Sequence, residues 1–138
     1  MPESAQHARL VRAILARLET HLGPLANIMV RDDSLSPFRG ERPPPLPRFV
    51  PDVYATDVPT TRIVVGEAKT AKDLERDRSH EQIASFLEYL TDTPGSLFIL
   101  AVPLDCAPRA RNLLRELAPG VGVTPATEVI DDLNLERG

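Results

Sequence analysis

The sequence has a single cysteine, Cys106, no tryptophan, and only 4% aromatic residues in a chain of 138. One thiol can build neither a disulfide framework nor a thiolate metal site. No apolar run approaches the roughly 20 residues of a membrane-spanning helix. The opening residues Met1-Pro2-Glu3-Ser4 lack the basic and apolar stretches of a signal peptide. These absences predict a cytoplasmic protein with no membrane partner. Glycine-rich phosphate loops are missing too. His7, His21 and His80 are scattered without a metal-ligand spacing and read as surface or rim residues. Positive charge is also short: the net charge of −4 speaks against a chain that coats nucleic acid by itself.

What is present describes one globular domain spanning residues 1–138. The apolar fraction of 42% suits a folded domain, and this length buries about two-thirds of the surface of the unfolded chain. Charge is unevenly spread. Residues 1–80 carry 12 Lys/Arg against 11 Asp/Glu, and residues 81–138 carry 4 against 9. The basic residues thus gather in the first part of the chain, which is compatible with a polyanion on one face.

Ser4 to Leu22 reads as an amphipathic helix, with Leu10, Val11, Ile14, Leu15, Leu18 and Leu22 at helical spacing, Ser4 as N-cap and Gly23-Pro24 as its stop. Leu25 to Val30 reads as a first strand. Ser36 to Arg48 is polar and proline-rich, so it cannot join a ladder; it reads as a loop bearing Arg39, Arg42 and Arg48. Phe49 to Ala55 is a second strand, Asp57 to Thr61 its turn, and Arg62 to Ala68 a third, strongly apolar strand suited to the sheet centre. A second helix follows at about Ser79–Thr91, after a charged stretch that reads as a loop or solvated turn. Leu97 to Val102 is a buried strand. Ala110 to Leu117 is a third helix with Pro108 at its start, and the 121–130 region supplies a short last strand. The acidic tail from Asp131 has too few apolar residues to pack. The predicted order is α-β-β-β-α-β-α-β.

The chemistry concentrates on Pro51-Asp52 and on Glu67-Ala68-Lys69, with the two acids 15 positions apart. Positions i and i+2 of a strand share a face, so Glu67 and Lys69 project together while Ala68 packs behind them. Two carboxylates and an ammonium can therefore converge at one end of a small sheet.

Pro51-Asp52, a gap, and Glu67-Ala68-Lys69 resembles the PD-(D/E)xK signature of the restriction-endonuclease-like nucleases, a superfamily that includes Holliday-junction resolvases and many repair and defence nucleases. The first six predicted elements match its αβββαβ core, with the motif on the second and third strands. The resemblance implies an α/β fold with a mixed central sheet flanked by helices, extended here by a C-terminal helix and strand. It implies a metal-dependent endonuclease acting on DNA. Asp52, Glu67 and the Ala68 backbone carbonyl would hold Mg²⁺ or Mn²⁺. Lys69 would orient or deprotonate the attacking water, or set its charge against the transition state. Glu19, the acid in the body of the first helix, would complete the metal site, and Gln82 on the second helix would contact the site or the DNA. Thr70 and Lys72 would extend its polar edge. Homodimers are common among such single-site nucleases.

The bland readings stand beside these. Asp52 after a proline suits a turn, and Glu67 with Lys69 makes a strand-end ion pair. Glu19 and Gln82 can be solvated helix residues, Cys106 an inert thiol, and Arg109, Arg111 and Arg115 a solvated face. The alternative function is a catalytically inactive nuclease-like module that binds DNA or a partner protein. In a small interaction protein the Glu-x-Lys triplet would be accidental.

Overall fold

A computed structural model of the chain describes residues 5–22, 28–32, 49–57, 62–91, 93, 95–118 and 125–135. Among the described residues, three α-helices and five strands follow one another as α1 (Ala5–Leu22), β1 (Ile28–Asp32), β2 (Val53–Asp57), β3 (Ile63–Ala68), α2 (Asp77–Leu90), β4 (Leu97–Ala101), α3 (Ala107–Leu117) and β5 (Ala126–Ile130). This is the order read from the sequence. No helix among the described residues is long and apolar enough to cross a membrane.

The strands lie side by side in sequence order in one mixed sheet. β1, β2 and β3 form an antiparallel meander, with Val53 opposite Gly66. β3, β4 and β5 are parallel, with Val64 opposite Leu97 and Leu97 opposite Ala126. Parallel neighbours need crossovers, and α2 and α3 supply them. α1 covers the opposite face, so β3 and β4 are buried from both sides. Every residue of β4 is buried, which is why its sequence is an uninterrupted apolar run rather than an alternation.

The core is accordingly split by the sheet. On one side Leu10, Val11, Ile14 and Leu18 of α1 pack on Val53, Val64, Ala68 and Ile99. On the other, Ile83, Phe86, Leu87 and Leu90 of α2 and Leu113 and Leu114 of α3 pack on Val65, Phe98 and Leu100. Gly66 sets the distance between α1 and the sheet. A Cβ built there would fall 2.7 Å from Ile14 Cγ2 and 3.4 Å from Val53 Cβ. The helix can come this close because the strand presents only a hydrogen at that point.

Several boundaries differ from expectation. β2 begins at Val53, not Phe49, because Pro51 has no N–H to donate to a ladder; Asp52 therefore occupies a bend immediately before the strand. Asp57, expected in the turn, closes the strand. α2 begins at Asp77, two residues early, after a 3-10 turn at Asp73–Glu75. α3 starts at Ala107 and carries Pro108 in its first turn. The tail does pack in part. Asp132–Leu135 forms a 3-10 turn against α1, started by the Leu133 N–H donating to Asp131 Oδ1 at 2.9 Å, and Arg9 reaches Asp132 at 3.7 Å. Local Asx-turn bonding and an ion pair do there what apolar content could not. The Ser4 cap, the Gly23-Pro24 stop and the proline-rich loop with Arg39, Arg42 and Arg48 lie outside the described residues.

Substituting Gly66→Ala is expected to cost about 1–3 kcal/mol, the range for overpacking a filled core. Cγ2 sits on the branched Cβ of a helical isoleucine, whose χ1 has little freedom to move aside. Urea denaturation checks this, and pairing the change with Ile14→Ala should recover part of the loss. Additive losses in the double variant would show that the two side chains do not compete for this space.

Candidate functional site

The antiparallel pairing of β2 and β3 brings the entry of one strand beside the exit of the other. Val53 faces Gly66, so Asp52 and Glu67 come next to each other one step beyond. Pro51 ends backbone pairing at this point, and the two acids take over the unsatisfied amides. The Asp52 N–H donates to Glu67 Oε1 at 2.8 Å, and the Ala68 N–H donates to Asp52 Oδ2 at 2.8 Å. Each carboxylate thus anchors the other's strand. The next residue turns the other way: the Lys69 N–H donates to the Ala101 carbonyl of β4 at 2.9 Å. Alternation along the strand directs the Ala68 carbonyl to the side of Asp52.

Glu67 is 2% exposed and Lys69 is 7% exposed. The Lys69 ammonium lies 3.2 Å from Glu67 Oε2 and donates to Gln82 Oε1 of α2 at 2.5 Å. Burial pushes the Glu67 carboxyl up to about 8, and the charge of Asp52 pushes the same way. Lys69 and the Asp52 N–H oppose the shift without cancelling it. Burial and the neighbouring acid thus oppose ionisation of Glu67 at neutral pH.

Asp52 has a further partner, His7 of α1, whose Nε2 is 3.2 Å from Asp52 Oδ2, both side chains being half-buried. Its place was legible in principle. His7 continues the buried stripe of Leu10, Val11, Ile14 and Leu18 at i, i+3, i+4, i+7 and i+11. A histidine on that stripe must meet the sheet rather than water. Read as a surface or rim residue, His7 is half-buried, at the rim where the stripe meets the sheet. His80, by contrast, hydrogen-bonds the Leu74 carbonyl at 2.7 Å and ties the 3-10 turn to α2.

Glu19 is not brought to this site. It lies twelve residues beyond His7 on α1, about 18 Å along the axis at 1.5 Å per residue. There it lines a cleft of about 650 Å³ between α1 and β5, together with Arg17 and Glu128, which pair at 2.5 Å. A helical wheel gives the angle of a residue around the axis but not its height along it. Thr70 and Lys72 do lie at the exit of β3. Thr70 Oγ1 accepts the Asp73 N–H at 3.3 Å while Asp73 Oδ2 accepts the Thr70 N–H at 3.1 Å, a capping-box exchange that fixes the chain just past Lys69. Lys72 is exposed.

The donor chemistry suits a hard divalent cation. Two carboxylates and a strand-end carbonyl offer oxygen, and the opposed ionisation of Glu67 is relieved by positive charge between the acids. Among the described residues, no group of three or more His, Cys, Asp and Glu is already gathered around a common position for an ion. Comparison with family models, curated proteins and solved structures found no match to this chain.

The Glu67 environment predicts a pH dependence. Its folded pKa is raised above the ordinary value of 4.5 to about 8, so the folded state holds a proton that the unfolded chain releases. The stability from this group is therefore fully present below about pH 4.5, falls between 4.5 and about 8, and levels off above. The loss is on the order of 5 kcal/mol, at about 1.4 kcal/mol per pH unit. Urea midpoints measured across this range should decline in the wild type and decline less in Glu67→Gln. Parallel curves would remove Glu67 as the cause.

Proposed function

We propose that this chain is a metal-dependent nuclease hydrolysing DNA phosphodiester bonds, built on a restriction-endonuclease-like core. The observation that carries the reading is the meeting of Asp52, Glu67, Lys69 and Gln82 at one end of the sheet. They come from two strand ends and a helix, and the lysine is held between an acid and an amide. A strand-end salt bridge alone calls for neither a second, half-buried carboxylate nor a fixed amide partner.

Mg²⁺ or Mn²⁺, when bound, would supply Lewis acidity and neutralise the negative charge of the phosphoryl centre. Asp52, Glu67 and the Ala68 carbonyl would hold it. His7 would join them or orient Asp52, as an imidazole beside a ligating carboxylate does. Lys69 has three N–H donors. Glu67 and Gln82 engage two, and the third is left to orient the attacking water or to face the charge of the transition state. Gln82 keeps the ammonium pointed at the acids. Cutting both strands of a duplex with one such site per chain calls for two copies.

A second reading is favoured by one observation. Asp52 Oδ2 and both oxygens of Glu67 are occupied by the protein's own groups. A nuclease-like module that binds DNA or a partner protein without cutting would keep these bonds permanently, whereas a nuclease would open them to the cation.

Metal response separates the two. Mg²⁺ or Mn²⁺ is expected to raise the melting temperature of the wild type, since a ligand that binds only the folded state stabilises it. His7→Ala should weaken that response about 10- to 100-fold in metal concentration, and Asp52→Asn should abolish it. Cleavage of linear, supercoiled, single-stranded and branched DNA should follow the same order, with Lys69→Ala at least ~100-fold slower than wild type. A wild type that shows neither metal stabilisation nor cleavage of any of these substrates belongs to the binding-module reading.

A further inference from the structure

Beyond the acids and the lysine, one cation at the edge of the site is held in an unusual way. The guanidinium carbon of Arg78 lies 5.3 Å from the centroid of the Phe49 ring. Arg78 is exposed. Phe49 is in turn set edge-on against Phe86, with centroids 6.4 Å apart and planes at 77°, and Phe86 is fully buried against Phe98. The arginine therefore rests on a platform rooted in the core. Neighbouring Arg76 is different: it pairs with Asp73 at 3.8 Å, on its own turn.

Two connections tie this platform to the proposed site. Phe49 lies three residues before Asp52, on the extended segment that delivers the acid to β2. Arg78 and Gln82 are four residues apart on α2, which puts them on one helix face about 6 Å apart. Gln82 holds Lys69, and Lys69 holds Glu67. Stacking on a ring consumes none of the in-plane N–H donors of a guanidinium. It also lowers the entropy lost when the side chain is recruited by an anion, because the fork is already held. Arg78 therefore presents its fork from the same face of α2 that holds the lysine through Gln82.

We infer that Arg78, carried on Phe49, is a positioning residue for the nucleic-acid substrate: it takes a backbone phosphate of the strand next to the phosphate held at Asp52 and Glu67. This rests on the nuclease reading and adds to it a fixed path for the strand, across the N-terminal end of α2. Recognition at this point is of the phosphate backbone and carries no base preference.

The test uses the full chain and fluorescein-labelled oligonucleotides, single-stranded and duplex, with binding read by anisotropy in Ca²⁺ across a salt series and cleavage read in Mg²⁺. Arg78→Ala is expected to weaken binding about five- to tenfold and to lower the slope of log affinity against log salt by about 0.7–0.9, the signature of one lost phosphate contact. KM should rise more than kcat falls. Arg78→Lys keeps the charge but loses the fork, so it should restore the slope and only part of the affinity. Melting temperatures of both variants should match the wild type, because the side chain is exposed. A wild type that cuts DNA while Arg78→Ala keeps its affinity and salt slope overturns the assignment and leaves the nuclease reading standing. Weakened binding with an unchanged slope also overturns it, since that is the mark of disturbed packing around Phe49. A wild type that neither binds nor cuts any oligonucleotide removes the nuclease reading and the role of Arg78 with it.

Discussion

The site depends on a carboxyl group buried where a sheet runs out of backbone partners. Pro51 cannot donate, so the ladder between β2 and β3 stops one residue short of Glu67. The two acids complete it with their side chains. That exchange places Glu67 out of water, and burial of a carboxylate is costly unless it is protonated or paired. The protein does some of both: the pKa rises, and Lys69 and the Asp52 amide lie against the two oxygens. A group held in this condition has a strong reason to welcome a cation.

The remaining architecture serves that end of the sheet. Gly66 allows α1 to sit close enough for His7 to reach Asp52 from one face. On the other face, α2 presents Gln82 to Lys69. The capping exchange of Thr70 and Asp73 then turns the chain away at once, leaving the lysine at the strand's exit instead of burying it further along a ladder. Helices from opposite layers therefore meet the same two strand ends. A shift of α1 away from the sheet would withdraw the histidine without altering Glu67 and Lys69, whereas a shift of α2 would release the lysine.

The acidic net charge and the proposed polyanionic substrate are reconciled by where the charges lie. Described arginines and lysines near the site, among them Lys69, Lys72, Arg76 and Arg78, follow one another within ten residues on the exit of β3 and the start of α2. Among the acids of the later part of the chain, Glu128 faces α1 through Arg17, and Asp132 faces Arg9. Net charge describes the whole molecule, while a substrate meets one side of it.

The order of helices and strands was legible in the residues because it follows from periodicity. The stripe of α1 and the unbroken apolar run of β4 fix the helix and the buried strand, and the face shared by Glu67 and Lys69 follows from the two-residue repeat of a strand. Local chemistry also left readable signs, in Pro51 and in the Thr70–Asp73 spacing, although the first was read as part of a strand. What periodicity cannot carry is the height at which distant segments meet. Glu19 and His7 both belong to α1, and only the packing of the helix on the sheet decided that His7 stands beside Asp52 while Glu19 faces β5. The same holds for Gln82 against Lys69 and for Arg78 above Phe49. These pairings join residues far apart in the chain or on separate elements, and their geometry exists only once the layers have closed. The protonation of Glu67 belongs with them, since it arises from burial and from a neighbouring charge that the unfolded chain does not have.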